Sequence, residues 1–569
     1  MIMTNLQKVS KIMGSLLMLS GCISSLLLSA CESPEIVSSV LIEIRPLDDT
    51  IQNDPQHALT GTGQITITPY DIAGDVLYTG VSFDLAARQG DVPGLPLGQW
   101  RFYVTGNHNN KPVFGVSAPF EVKDNQAIST VTLIGRSQCT GLLPYIVGPE
   151  GVGGSSDLEQ GYDGSSAVAL ADGRVLILGG GLIDQSSGRL ISVSRDIQIY
   201  DPKHGVVTMA AELLSVPRAF HQVTTLDDQR ILITGGVSAV SGGQYVVDQS
   251  AEMITISENG SLTISQPFLM GTGSSPARYD HLQVKLNDGS VLIAGGRDSS
   301  GTILSSATRY FPTDGTFVEQ GSMNTPRTAA SISALNRSSE LAAVIGGISD
   351  VGPTNKVEFF TVRSDAGCVP SPTPDRRLGC FTAQPDLNRP RWGHQSAKLN
   401  DGSVLIVGGF QGGDLEVPRE PIAAIEHLQF ISKTEMGITT LSVQINPSVG
   451  NLAVSRGRSA LGYLLEGDSE QLLLIGGEGS GSQSDVSIIN ANNLALGIAS
   501  AAEVRPTCPL SESRYRPMSV TTPEGAVMVF GGVMRGLDSA GALKYTTSRR
   551  IEMIYPTVND IRQVIPSID

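Results

Sequence analysis

Seven short apolar runs along the chain each end in two glycines, in the forms VLILGG, ILITGG, VLIAGG, AAVIGG, VLIVGG, LLLIGG and VMVFGG. The doublets are Gly179-Gly180, Gly235-Gly236, Gly295-Gly296, Gly346-Gly347, Gly408-Gly409, Gly476-Gly477 and Gly531-Gly532. Successive doublets lie 56, 60, 51, 62, 68 and 55 residues apart. A repeat of about 50 residues built from short strands predicts a propeller or a solenoid.

The residue pattern within each repeat predicts four strands. In the third repeat an Arg-x-x-His opening, Arg278 to His281, leads into a strand, and Asp288-Gly289 separates this strand from SVLIAGG. Asp-Gly between two β-rich runs indicates a tight hairpin. A polar loop and two more strands follow each doublet, which makes one four-stranded blade. Strands after Gly532 are expected to complete the last blade, so every blade would come from contiguous chain without strand exchange.

The glycine doublets have two possible explanations. A phosphate-binding glycine loop requires a helix directly after the glycines and usually a Lys-Ser/Thr pair. Polar loops and another strand follow every doublet instead. We therefore expect the glycines to permit close approach of neighbouring backbone, which a side chain would prevent.

Residues 162–569 resemble the kelch repeat as it occurs in galactose-oxidase-like and bacterial kelch proteins. The resemblance implies an all-β fold whose main part is a seven-bladed kelch-type β-propeller. The Arg-x-x-His opening is complete in repeats two, three and five only, since Ala330, Ser459 and Pro517 occupy the histidine position in repeats four, six and seven. The family resemblance therefore does not carry a specific activity to this chain.

The N-terminus predicts an exported lipoprotein. Residues 1–30 combine Lys8 and Lys11 with an apolar stretch, which is typical of a signal peptide. Leu28-Ser29-Ala30-Cys31 resembles a bacterial lipobox, whose cysteine is acylated. Cys22 also fits such a motif, but we favour Cys31 because the polar segment 31–38 after it can serve as a tether. The expected location is the bacterial cell envelope, with a lipid anchor most consistent with the outer membrane.

Between this tether and the propeller, residues 39–136 alternate strand and turn patterns and predict a small β-sandwich domain. The segment from Leu97 to Val104 resembles a strand of transthyretin-like or carboxypeptidase-regulatory-like sandwiches. Residues 137–161 are glycine-rich and are expected to form a linker.

Four further cysteines are expected to pair in an oxidising compartment. Cys368 and Cys380 are close in sequence and would form a local disulfide. Cys139 precedes the first blade and Cys508 precedes the seventh, so these two can meet only in a closed ring. No Cys-x-x-Cys motif indicates a metal–thiolate site.

Charge narrows the classes of ligand. The formal net charge is −16, and it becomes −18 without residues 1–30, which contain two lysines and no acidic residue. Such an acidic protein is poorly suited to nucleic acid, whose phosphates require Lys and Arg. No second apolar run is long enough to span a membrane, so contact with the membrane is expected through the lipid anchor only.

Histidine and arginine recur at equivalent positions of the repeats. His221, His281 and His394 share one position, and a structural role is favoured over metal ligation because one site would not need a copy in each blade. The arginines are expected to form salt bridges or carbonyl contacts between blades. The alternative is a ring of guanidinium groups that holds carboxylates or sulfates at the channel mouth. The arginines are Arg218, Arg278, Arg327, Arg391, Arg456 and Arg514.

The favoured function is non-catalytic binding or scaffolding by the propeller, with a protein, peptide or glycan as ligand. A carbohydrate oxidase or lyase and a structural adhesin-like module are the alternatives. The resemblance to galactose oxidase would imply a copper site of two His, two Tyr and a Cys joined to one Tyr, but no such set falls on matching blades. We therefore assign no catalytic residue, metal or cofactor.

The long loops after the diglycines, at 181–195, 237–250, 410–422 and 533–548, are expected to share one face of the propeller with the connections between blades. Function tends to reside on long loops held by a rigid scaffold. The short Asp-Gly hairpins would occupy the opposite face. The candidate binding residues on the loop face are Arg297, Asp298, Asp414, Glu416, Arg419, Arg535 and Asp538.

Overall fold

The named elements of the described chain are all β-strands, and Leu494 is the one described residue in helical conformation. No helix in the described part of the chain is long and apolar enough to cross a membrane. A computed structural model describes residues 40–46, 64–71, 76–77, 80–84, 89–92, 95–108, 111–116, 120–122, 128–136, 143–146, 158–201, 206–257, 260–271, 275–335, 340–361, 377–435, 438–463, 471–479, 483–491, 494, 501–507, 509–510, 512–521 and 527–555.

The N-terminal strands form one hydrogen-bonded network in the order β3-β2-β6-β7-β9-β1-β5, with β4 on β2 and β8 on β6. Ile65, Ile67, Trp100 and Phe102 are at the centre of its apolar core. The two-layer sandwich stays a prediction. The strands are β1 (Val40–Pro46), β2 (Gln64–Asp71), β3 (Val76–Leu77), β4 (Val81–Asp84), β5 (Gln89–Val92), β6 (Gly98–His108), β7 (Lys111–Val116), β8 (Phe120–Val122) and β9 (Ile128–Arg136).

The propeller follows with seven antiparallel sheets, six of four strands and one, that of blade 2, with a fifth short strand. One further strand, β10 (Leu143–Ile146), precedes the first blade. Blades 1 to 3 contain β11 (Ser166–Ala169), β12 (Val175–Leu178), β13 (Ile197–Asp201) and β14 (Val206–Met209); β15 (Gln222–Thr225), β16 (Ile231–Thr234), the hairpin β17 (Val237–Ser241) and β18 (Gln244–Val247), β19 (Ser250–Ile256), β20 (Leu262–Ile264) and β21 (Phe268–Leu269); and β22 (Leu282–Lys285), β23 (Val291–Ala294), β24 (Ala307–Phe311) and β25 (Thr316–Gln320).

Blades 4 to 7 repeat this plan, and three of them carry an extra hairpin after the diglycine. Their strands are β26 (Ser331–Ala334), β27 (Glu340–Ile345), the hairpin β28 (Ile348–Ser349) and β29 (Gly352–Pro353), β30 (Val357–Thr361) and β31 (Cys380–Gln384); β32 (Gln395–Lys398), β33 (Val404–Val407), the hairpin β34 (Phe410–Gly413) and β35 (Pro418–Pro421), β36 (Ala424–Glu435) and β37 (Ile438–Asn451); β38 (Ala460–Tyr463), β39 (Gln471–Ile475), β40 (Val486–Asn490) and β41 (Glu503–Thr507); and β42 (Met518–Thr521), β43 (Val527–Phe530), the hairpin β44 (Val533–Leu537) and β45 (Leu543–Thr547), and β46 (Ile551–Tyr555).

The ring of seven blades is closed, as the repeat count predicts. An apolar cluster fills each of the seven interfaces between neighbouring blades. At the closing interface, Phe530 and Ile551 of blade 7 pack against Val175 and Tyr200 of blade 1. The second strand of a blade is buried along its whole length, since β12, β16, β23, β33 and β43 each show four consecutive buried residues. This burial explains why the runs before the diglycines are continuously apolar.

The expectation that every blade comes from contiguous chain is wrong for blade 7. Its outer strand is β10, which pairs antiparallel with β46 over Leu143–Ile146 and Tyr555–Glu552. Residues 143–146 therefore belong to the propeller and not to the predicted linker 137–161. The physical reason is that β46 would otherwise present an unpaired edge, which a strand from the other end of the propeller covers.

The glycine doublets join neighbouring blades through backbone. The first glycine lies against the carbonyl of the next blade's arginine; a Cβ on Gly179 would be 2.3 Å from the oxygen of Arg218. The second glycine donates to that same oxygen, with 2.7 Å from Gly180 N to Arg218 O. Both glycines have positive φ, 56° and 91° in blade 1. The predicted close backbone approach is thereby confirmed.

The six recurrent arginines are buried and have a structural role, as expected, but their side chains brace their own blades and not neighbouring ones. Arg218 Nε donates to Glu252 at 2.6 Å, and Nη1 donates to the carbonyl of Gly235. Equivalent pairs form in three more blades, namely Arg327–Glu358, Arg391–Glu426 and Arg514–Glu552. In blades 3 and 6 the glutamate position holds Thr308 and Ser487. There, burial lowers the pKa of Arg278 and Arg456 to about 10.

Of the cysteines for which the sequence predicts disulfides or acylation, the structure describes one. Cys380 is disulfide-bonded, and the other five cysteines lie outside the described residues. The pairing of Cys380 with Cys368, the Cys139–Cys508 bridge and acylation at Cys31 therefore stay predictions.

Ring closure by β10 predicts a difference between two truncated chains. A chain starting at residue 137 keeps β10, whereas one starting at residue 147 lacks it. Losing about four backbone hydrogen bonds and exposing the edge of β46 should reduce the stability of the propeller by about 2 to 4 kcal/mol. Thermal unfolding of the two chains measures this difference, and equal melting temperatures would contradict closure by β10.

Candidate functional site

The residue two positions after each of the six recurrent arginines lies on the innermost ring of the propeller, as does the equivalent Gly164 after Tyr162 in blade 1. This position has positive φ in every blade. Its backbone links successive blades, with Phe220 N donating to Gly164 O at 2.7 Å and Arg516 N donating to Arg458 O at 2.8 Å. The left-handed conformation is uncommon outside glycine and is a property of this repeat. The seven positions are Gly164, Phe220, Asp280, Ala329, Gly393, Arg458 and Arg516.

A cavity of about 910 Å³ lies above this inner ring. Residues of the post-diglycine loops of six blades line it, together with inner-ring residues and the start of several first strands. It therefore lies on the face that the sequence predicts for the long loops. Its size is typical of ligand sites, which range over ~300–1,000 Å³.

The floor of the cavity is rich in charged side chains held in pairs. Arg516 contacts Asp163 at 2.6 Å, and Arg458 contacts Glu478 at 2.9 Å. Glu478 is also 3.4 Å from Arg535, which comes from the hairpin of blade 7. Each pair joins groups from different strands or different blades, so the charges fix the relative positions of these elements.

Aromatic rings lie under the guanidinium groups. Arg516 is 5.2 Å from the centroid of Tyr515, and Arg458 is 5.0 Å from that of Trp392. Tyr515 and Trp392 are buried, and burial raises the pKa of Tyr515 to about 12. These rings support the arginines through cation–π contact and keep their planes fixed at the cavity floor.

Two loops meet above the cavity. Arg189 of the blade 1 loop is 3.6 Å from Glu416 of the blade 5 hairpin, and both side chains are largely exposed. Arg458 also donates from the floor to the carbonyl of Leu415. The cavity is therefore narrowed from above by elements of opposite blades, and this exposed ion pair contributes little to stability.

Three of the seven predicted binding residues line the cavity, namely Arg297, Glu416 and Arg535. The other four lie outside its lining. Asp298, Asp414 and Asp538 accept backbone N–H groups within their own turns, for example Asp414 from Glu416 N at 2.9 Å. Arg419 is exposed on β35. The sequence predicts the face on which the cavity lies but does not separate turn-forming aspartates from cavity residues.

Several cavity residues were missed in the sequence, namely Asp163, Asp280, Arg458, Glu478 and Arg516. A signal for three of them exists, because Asp280, Arg458 and Arg516 are two residues after a recurrent arginine. The residue type at this position differs between blades, so a search for residues that recur in every repeat does not find it.

The recurrent histidines pack between blades, in agreement with the structural interpretation. His281 Nε2 is 2.8 Å from Thr234 Oγ1 of the preceding blade, and His394 Nε2 is 2.8 Å from Ser331 Oγ. Burial, together with the nearby charge of Arg218 or Arg391, lowers the pKa of His221 and His394 to about 3. Among the described residues, no three His, Cys, Asp or Glu side chains are grouped to hold a metal ion.

Comparison with known proteins gives structural similarity at low sequence identity. No family model matches the sequence, and no curated protein matches it. A fungal alcohol oxidase of the AA5 family, determined in complex with copper, has 14% identity and a TM-score of 0.48, covering 74% of this chain and 78% of that one. YjhT has 14% identity and a TM-score of 0.41, covering 61% of this chain and 99% of that one.

The buried histidines predict loss of stability at mildly acidic pH. Unfolded histidine takes up a proton near pH 6.5, whereas folded His394 does so only near pH 3. The contribution of His394 is therefore complete above about pH 6.5 and falls by about 1.4 kcal/mol per pH unit below it. The variant His394→Gln should show a smaller difference between urea midpoints at pH 7 and pH 5. An unchanged difference would show that this histidine is not the group that titrates on unfolding.

Proposed function

We propose that the propeller is a non-catalytic binding module whose ligand, a protein segment, peptide or glycan, enters the cavity on the loop face. The observation that carries this proposal is the convergence of charged side chains from separate blades on one cavity of about 910 Å³. Pairing and aromatic support hold these side chains in place before a ligand arrives, which lowers the entropic cost of binding.

A carbohydrate oxidase or lyase is the alternative activity. Copper at one equivalent per chain in purified protein, together with oxidation of a carbohydrate alcohol, would favour the oxidase over the binding module. A purely adhesive scaffold would instead use the outer surface of the propeller and leave the cavity without effect on attachment.

If the ligand binds in the cavity, charge reversal at two arginines of the loop face should affect binding differently. A screen of soluble oligosaccharides and peptides by thermal shift should find ligands that stabilise the protein. Arg535→Glu should abolish that stabilisation because it places a negative charge beside Glu478 at the cavity. Arg419→Glu, on an exposed strand outside the lining, is the matched control. The proposal fails if both variants bind equally well, or if only Arg174→Glu on the Asp-Gly face impairs binding.

We also propose that Cys31 anchors the protein to the bacterial outer membrane. The support is the lipobox-like Leu28-Ser29-Ala30-Cys31 and the polar segment that follows it. Cys31→Ser should release the protein from the membrane fraction or block its processing, because a triacylated cysteine holds firmly where one chain binds marginally. If the Cys31 variant stays in the membrane fraction while Cys22→Ser leaves it, Cys22 is the anchor.

A further inference from the structure

Charges of both signs meet on the cavity floor, and each is held in an ion pair: Arg516 with Asp163, Arg458 with Glu478, and Asp280 with Arg297. Arg458 and Arg516 follow each other on the inner ring in blades 6 and 7. Asp163 of blade 1 lies against Arg516, and Asp280 of blade 3 is near enough to Asp163 to act on its charge. Asp163 is buried, Arg458 is nearly so, and Arg516 and Asp280 each expose about a third of the side chain, 32% and 34%. Both signs are therefore accessible within one site.

Polar atoms on this floor lack partners. Asp163 Oδ2 accepts from Arg516, but Asp163 Oδ1 is buried with no hydrogen-bond partner. Arg516 Nε and Arg297 Nε are likewise buried without an acceptor. A buried polar atom without a partner costs about 1–3 kcal/mol. A molecule that brings a donor to the aspartate and an acceptor to the arginines would remove this cost.

The pKa shifts of the residues on the cavity floor also bear on which ligand would fit. Burial raises the pKa of Asp163, and the charge of Asp280 raises it further, while Arg516 opposes the shift. Burial lowers the pKa of Arg458, and the nearby charge of Arg516 adds to that effect. Burial alone would lower the pKa of Arg516, but the charges of Asp163 and the other nearby carboxylates raise it. Asp280 repels Asp163, however, and Arg516 repels Arg458. A ligand that brings an opposite charge beside each of these neighbours would offset the two repulsions.

The overall charge of the cavity is close to balanced. Five arginines and four carboxylates line it, which gives a net charge of +1 in a chain of net charge −16. A purely anionic or purely cationic ligand would offset only one of the two repulsions. A neutral molecule that carries both charges would offset both.

From this arrangement we infer that the cavity binds a small zwitterion, a free α-amino acid, with its carboxylate at Arg458 and Arg516 and its ammonium group at Asp163 and Asp280. The inference rests on the proposed function, since it names the ligand class of the same cavity. The ammonium group supplies the donor that Asp163 Oδ1 lacks. Phe220, half-buried on the inner ring next to Arg516, offers an apolar wall to the ligand's side chain.

Calorimetry with the twenty common α-amino acids tests this ligand class on the full-length protein. The amino acid that binds should then be compared with its N-acetyl derivative, which keeps only the carboxylate, and its amide, which keeps only the ammonium group. Loss of one charge-assisted contact should weaken binding about tenfold to hundredfold. Absence of binding by every amino acid, or equal binding of the blocked derivatives, overturns the inference.

Two variants assign the two ends of the ligand. Arg516→Gln should reduce the preference for the amino acid over its amide, and Asp280→Asn should reduce the preference over its N-acetyl derivative, since Arg458 and Asp163 remain in these variants. Asparagine tolerates the left-handed conformation of residue 280, so this variant should fold even if the first does not. Arg419→Gln and Asp414→Asn, outside the cavity lining, are the matched controls and should preserve both distinctions. The inference fails if the controls behave like the cavity variants.

An unrelated ligand separates this inference from the proposed function. Suppose that no amino acid binds, but that an oligosaccharide or peptide stabilises the protein and the Arg535→Glu variant loses this stabilisation. The proposed binding function is then supported and the assignment of a zwitterionic ligand is wrong. If neither class of ligand stabilises the protein, both fail.

Discussion

A single backbone contact, repeated around the ring, fixes the position of the residues that lie nearest the propeller axis. The second glycine of each doublet donates to the backbone carbonyl of the arginine that opens the next blade, at distances from 2.7 to 3.0 Å in six interfaces. In five blades the guanidinium of the same arginine donates to the carbonyl of its own blade's first glycine, as Arg391 does to Gly408. The arginine thus ties two blades together at the point where the chain turns toward the axis. A side chain at the first glycine would collide with this carbonyl, so the contact requires glycine at that position.

The cavity is a consequence of that contact. Because the arginine is fixed by both its backbone and its side chain, the residue two positions later is held in the left-handed conformation at the innermost ring. The scaffold there is uniform in backbone and varied in side chain, from Gly164 and Ala329 to Arg458 and Arg516. A site can therefore be built by exchanging side chains at this position without altering the contact between blades.

The sequence predicts the repeated parts of this molecule well and the unrepeated parts poorly. Doublets, Asp-Gly hairpins and buried second strands recur, so seven blades and the loop-bearing face follow from periodicity. The strand Leu143–Ile146 does not recur, and its pairing with β46 depends on a partner about 400 residues away. The cavity charges likewise come from single blades. Asp163, for example, takes its role only because Arg516 of the last blade lies beside it across the seam.

The seam explains why the charged site lies where it does. Six interfaces have the glycine–arginine backbone contact, but blade 1 begins with Tyr162 in place of the arginine. Across the seam, Leu158 N donates to Arg549 O at 2.8 Å, and three side chains add contacts. These are Arg516 on Asp163, Arg549 on the carbonyl of Leu158, and Thr547 on that of Gly161. The ion pair that helps to close the ring is also the one whose carboxylate keeps a buried oxygen, Asp163 Oδ1, without a hydrogen-bond partner. A ligand that engages Asp163 and Arg516 would therefore bind both ends of the propeller chain at once, and binding should be coupled to the stability of the closed ring.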